Sequence, residues 1–85
     1  MLIMDVTKLS HAQLADAISQ RCSQFGSVRA ITILQPPENP QLAFALVGMR
    51  SVTEIDRVVE NLGAAKVDSL AVIKIEQEQE HARIN

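Results

Sequence analysis

The side chains able to do chemistry in this 85-residue chain are few and dispersed. There are two histidines, His11 and His81, and a single cysteine, Cys22. Neither histidine has a Cys, His or carboxylate at metal-ligand spacing, so no metal site is expected. Cys22 falls in an apolar helical series, which makes it a core residue rather than a nucleophile. One cysteine permits no internal disulfide, which fits a reducing compartment. Gly26, Gly48 and Gly63 are isolated and form no phosphate-binding loop. No pair of titratable residues is spaced for acid–base work, so neither catalysis nor a cofactor is expected.

What remains is recognition. The eight cations (Lys8, Arg21, Arg29, Arg50, Arg57, Lys66, Lys74 and Arg83) are scattered over a chain of net charge −2. They form no electrostatic footprint of the kind that dominates non-specific nucleic-acid binding. Arg29 and Lys74 are candidate phosphate contacts, with Lys8 beyond them; scattered surface charge is the simpler reading. Phe25 and Phe44 are the only aromatics. Phe44 belongs to the apolar stretch Leu42-Ala43-Phe44-Ala45-Leu46-Val47-Gly48-Met49, where Leu42, Phe44 and Leu46 share one strand face. An apolar ridge of this kind, with Ile3 and Val72 as possible neighbours, marks an interaction site on a small domain.

The elements that would position these residues are legible. Leu2 to Thr7 reads as a short first strand. Ser10-His11-Ala12-Gln13 matches a capping box, and Leu14, Ile18, Cys22 and Phe25 then follow one helical face to a cap at Gly26. Val28 to Leu34 is rich in β-branched residues and reads as a second strand. Three prolines in Gln35 to Gln41 make that segment a loop. The Leu42–Met49 stretch is the third strand. Ser51-Val52-Thr53-Glu54 is a second capping box, and Val52, Ile55, Val58, Val59 and Leu62 mark the buried face of a helix that Gly63 ends. Ala64 to Ser69 reads as a linker with room for a small hairpin. Leu70 to Glu76 alternates as a fourth strand, and residues 77–85 read as a polar tail that could fold over the sheet.

The order βαββαβ, with both helices one-faced, predicts an α+β two-layer sandwich of ferredoxin-like type. Its four-stranded antiparallel sheet would carry two helices on one face and leave the other bare. Residues 1–76 would form one domain. No signal peptide is visible, since Met1 to Val6 lacks a basic region, and no apolar run reaches membrane-spanning length. The expectation is a soluble, cytoplasmic protein with no membrane partner.

At this point the chain resembles the RNA recognition motif family, over roughly Leu2 to Glu76. Ser23-Gln24-Phe25-Gly26-Ser27-Val28 looks like the family's junction of first helix and second strand. Ile55 to Leu62 looks like its second helix, and Asn61-Leu62-Gly63 with Val67-Asp68 its turn before the last strand. The third-strand signature maps onto Leu42 to Met49: Phe44 keeps the first aromatic, while Leu42 replaces the basic residue and Leu46 the second aromatic. The first-strand signature maps onto Met4 to Leu9, with Asp5 in the place of a stacking aromatic. The resemblance implies a bacterial-type, stand-alone domain that binds single-stranded RNA through the open face. Phe44 would stack a base, Leu46 and Leu42 would pack beside it, and Arg29 and Lys74 would lie near phosphates. Only one of three aromatics is retained, and base stacking contributes about 1–3 kcal/mol per base, so binding is expected to be weak. Two alternatives stand beside it. One is a degenerate member whose apolar face binds protein or a second copy of itself. The other is a small-ligand regulatory domain of the same strand order, although Thr7-Lys8-Leu9-Ser10 lacks the Gly-rich turn of such modules.

Overall fold

The computed structural model describes residues 1–79. Seven elements follow in order: β1 (Leu2–Met4), α1 (His11–Cys22), β2 (Val28–Leu34), β3 (Leu42–Met49), α2 (Val52–Leu62), β4 (Ala65–Val67) and β5 (Leu70–Gln77). They build a small α+β domain with two helices and a five-strand mixed sheet. The expectation of a four-stranded antiparallel sheet is therefore corrected in strand number and in strand direction. The segment read as a linker forms β4, which turns through Asp68 at a φ of 56° into β5.

That extra hairpin explains the mixed sheet. A helix returns the chain, so a strand placed straight after α2 runs parallel to β3. The β4–β5 turn reverses direction once more, and β5 lies antiparallel against β3. β1 then pairs with the far side of β5 in parallel, from Leu2 opposite Ile75 to Met4 opposite Gln77. The strand order is β1-β5-β3-β2, with β4 also on β5. β1 is thus at an edge, and β5 separates it from β3.

One face of the sheet is the core. Ala43, Ala45, Val47 and Met49 of β3 and Ala71, Ile73 and Ile75 of β5 meet Leu14, Ile18 and Cys22 of α1 and Ile55 and Val58 of α2. Small and large residues alternate across the two central strands: Ala43 opposes Ile75, Ala45 opposes Ile73, and Val47 opposes Ala71.

Several local expectations hold and others are corrected. The first capping box forms in full: Gln13 N donates to Ser10 Oγ, and Ser10 N donates to Gln13 Oε1. α1 ends at Cys22, four residues before Gly26: Ser23 N makes the last α-type bond, to Ser19 O, and the chain then turns, with Ser23 Oγ donating to Gln20 O and Phe25 N to Cys22 O. Phe25 consequently packs on the core from outside the helix. β1 stops at Met4, since the Asp5 carbonyl accepts from both Lys8 N and Leu9 N and turns the chain. Gly63 caps α2 at a left-handed φ of 65°, as its position predicts. Val52 is 56% exposed, not buried; Glu54, 7% exposed, takes the inward place in that turn.

Glu54 also leaves the second capping box half-made. Ser51 Oγ accepts from Glu54 N, but the Glu54 carboxylate reaches across the molecule. Its Oε1 accepts from Ser27 N at 2.8 Å, and its Oε2 from Arg50 Nη2 at 3.2 Å. The Ser27 N–H, and after it the charge and hydrogen bond of Arg50, hold the Glu54 carboxyl below its ordinary range against the opposing effect of burial. A depressed folded-state pKa means that the folded state binds fewer protons than the unfolded chain. The resulting stability is fully present above the unfolded value, near ~4.3, and is lost as pH falls through the lower folded value. Denaturation midpoints followed from pH 6 to pH 2 should fall in this window. Glu54→Gln keeps an acceptor for Ser27 but cannot titrate, so it should flatten the limb. An acid limb identical in wild type and Glu54→Gln would show that Glu54 does not shape it.

Candidate interaction surface

The second face of the sheet has no helix over it among the described residues. Strand alternation places Leu42, Phe44, Leu46 and Gly48 there from β3, opposite the buried series Ala43, Ala45, Val47 and Met49. The register adds their neighbours. Phe44 lies between Lys74 of β5 and Leu34 of β2. Leu46 lies between Val72 and Thr32, and Leu42 beside Glu76. Val72 is followed outward by Ala65 of β4, and Leu70 by Val67. Ile3 of β1 aligns with Glu76.

This face is apolar and continuous. Leu42, Phe44, Leu46, Leu70 and Val72 are half-buried by one another, while Ile3, Leu34 and Val67 are each at least 50% exposed. Gly48 leaves room beside Leu70, whose Cδ2 would lie 3.6 Å from a Cβ added there. The charged side chains within the central rows are Lys74 and Glu76, and they pair with each other at 3.1 Å. The surface thus offers an approaching anion little net charge.

The structure groups the predicted site residues unevenly. Leu42, Phe44, Leu46 and Lys74 come together on the open face. Arg29 is exposed on β2 where the register with β3 shifts between Val28 and Ala30, so it has no direct partner on β3. Asp5 does not join the β3 row: it follows the end of β1, and β5 lies between those strands. Its carboxylate belongs to a latch at the strand end. Gln77 Nε2 donates to Asp5 Oδ1 at 2.9 Å, Thr7 Oγ1 donates to the same oxygen at 3.2 Å, and Gln77 Oε1 accepts from Thr7 N. The Gln77 amide, assisted by Thr7 and Lys8, lowers the Asp5 pKa. Gln77 belongs to β5 rather than to the tail, and Glu78 N donates to Met4 O. The rest of the expected tail, with His81, lies outside the described residues.

Residues that sequence reasoning missed are Leu34, Val67 and Leu70. Leu34 ends the second strand, and only its register with β3 sets it beside Phe44. Val67 reaches the surface because the small hairpin for which Ala64 to Ser69 had room forms as β4 paired with β5. A depression over Leu42, Lys74, Glu76 and Gln79 measures about 200 Å³, below the roughly 300–1,000 Å³ of usual small-molecule sites, while a hollow of about 400 Å³ lies away from this face between Val6, Leu9 and the Pro36–Pro40 loop. Among the described residues no three His, Cys, Asp or Glu side chains converge as a metal site. No described helix is long and apolar enough to cross a membrane. No protein-family model matches this chain, and neither the curated proteins nor the solved structures contain a significant match.

Proposed function

We propose that the domain is an interaction module that docks an apolar protein surface on the open face of its sheet. One observation carries the reading: Leu42, Phe44, Leu46, Leu70, Val72 and Leu34 form one apolar surface that no element among the described residues covers, and its embedded charges, Lys74 and Glu76, neutralise each other. Contiguous apolar surface of this kind favours burial against a partner, and aromatic anchors at the centre of such patches contribute most of the affinity.

A second reading, weak binding of single-stranded RNA, is favoured by Lys74 standing directly across from Phe44. A cation beside a stackable ring suits a nucleotide. Against it, the first and third strands are not neighbours, so the two rows that carry stacking aromatics in the RNA recognition motif family do not adjoin here. The βαββαββ order, which is βαββαβ with β4 added after α2, supports a ferredoxin-like kinship in which β5 occupies the place next to β3 that the first strand would hold.

The two readings separate in one titration series. An apolar anilinonaphthalene probe should shift the amide signals of Phe44, Leu46 and Val72 and leave the helices unmoved. Leu46→Glu should weaken that binding roughly ten-fold or more, since a buried contact is replaced by a charge. Short single-stranded oligouridine should leave the same signals in place. RNA shifts at Phe44 that fade steeply with salt, with no probe binding, would reverse the assignment.

A further inference from the structure

The two edges of the sheet differ. One edge of β5 is covered by β1 and β4, each three residues long. Short edge strands give a stray strand little to pair with. The other edge is β2, seven residues from Val28 to Leu34, bonded to a strand on one side only among the described residues. Protection stands at its ends: a register shift at Arg29 and a proline at Pro36. Between them Ala30-Ile31-Thr32-Ile33-Leu34 has no Lys, no Pro and no bulge. Ile31 and Ile33 face the core side, opposite buried Val47 and Ala45, yet they remain half-exposed. The edge is incompletely covered on that face, and Leu34 is 50% exposed on the other.

We infer that this edge pairs antiparallel with the β2 edge of a second copy of the chain, about a two-fold axis through Thr32, extending one sheet across both copies. The residues are self-complementary in that register. Ile31 opposes the partner's Ile33 on the helix side. Ala30 opposes the partner's Leu34 on the open side, small against large, and Thr32 meets its own copy, a favourable cross-strand pair. Charge selects the antiparallel sense. Arg29 lies at one end of the edge and Glu38 just beyond the other, both exposed and neither in an ion pair among the described residues. Antiparallel pairing brings each Arg29 toward the partner's Glu38, whereas parallel pairing brings like charges together. The axis also keeps both open faces on the same side, so the docking surface proposed above is doubled rather than hidden. A single strand pair buries less than the roughly 1,000 Å² of a stable interface, so the dimer should be of micromolar affinity or weaker.

The test is a cross-link at the axis. Directly opposed strand residues have Cα atoms about 4.5–5.5 Å apart, within disulfide range. Thr32→Cys, oxidised with copper phenanthroline, should give a covalent dimer at least about ten times faster than Ser69→Cys, an exposed position in the β4–β5 turn. Cys22 is buried and stays out of the reaction. Arg29→Glu should slow the Thr32→Cys cross-link, and adding Glu38→Arg should restore it. Leu46→Glu should leave it unchanged, which separates this interface from docking on the open face. Equal rates at positions 32 and 69, or a wild-type mass that stays monomeric by sedimentation up to about 1 mM, would overturn the inference.

Discussion

Gly26→Ala should lower the melting temperature by roughly 10–20 °C, the equivalent of about 2–4 kcal/mol in a domain this small. Two independent causes act at one atom. Gly26 has a φ of +151°, a conformation that side-chain-bearing residues rarely adopt. A Cβ placed there would also overlap the Cγ, Cδ and Oε1 atoms of Glu54. Glu54 cannot swing aside freely, because its carboxylate is held by Ser27 N and Arg50 Nη2. Alanine therefore forces a choice between backbone strain and the loss of both bonds. Glu54→Ala in the same chain removes the overlap but not the φ. The double variant should thus be less destabilised than the sum of the single variants. Thermal unfolding of the three proteins decides the matter: a Gly26→Ala midpoint within two or three degrees of wild type would mean that the junction relaxes, and strict additivity would mean that the two residues do not collide.

Ile73→Ala should cost about 3–5 kcal/mol, the upper part of the range for deleting a buried aliphatic side chain. Ile73 is completely buried on β5, and its partner across the sheet is Ala45. Its neighbour toward the Val47 end of β3 is Ala71, another small residue. Ala45 and Ala71 beside it are too short to fill the space, and Ile75, its large neighbour along β5, is itself fully buried opposite Ala43, so the cavity persists. Domains of this size are stable by only several kcal/mol, so this single change approaches the limit of folding. Urea unfolding should show a large drop in midpoint at unchanged slope. Ala45→Ile in the same chain moves the missing volume one strand over and should recover a substantial part of the loss. If Ile73→Ala costs under 1 kcal/mol, the alternation of small and large residues across β3 and β5 is not what sets the packing.

The same residues show which parts of the molecule could be read in advance. The helices, the strands β2 and β3, the Ser10 cap and the Gly63 cap were legible because local rules govern them: periodicity, cap chemistry and glycine's access to positive φ. The two faces of β3 were legible too, because alternation along a strand is local. Leu42, Phe44 and Leu46 were therefore placed correctly on one surface. Glu54 misled the pattern at Ser51-Val52-Thr53-Glu54, since a carboxylate three residues after a cap ordinarily bonds back to it. Here Ser27, distant in sequence, competes for the same oxygen and wins.

Strand order was beyond local reading. Whether β1 or β5 lies beside β3 depends on how many reversals the chain makes after α2, and the three residues of β4 add one. That reversal carries β5 into the centre, leaves β1 at the edge, and ties Asp5 to Gln77 instead of placing it among the outward residues of the central strands. The amino-acid sequence by itself determined which side chains are apolar, which alternate and where each helix starts, because those depend on neighbours a few residues away. Only the tertiary structure decided which strands touch, and with them what Phe44, Lys74 and Leu34 have beside them. Pairing is a contest between distant segments for the same hydrogen bonds and the same buried area.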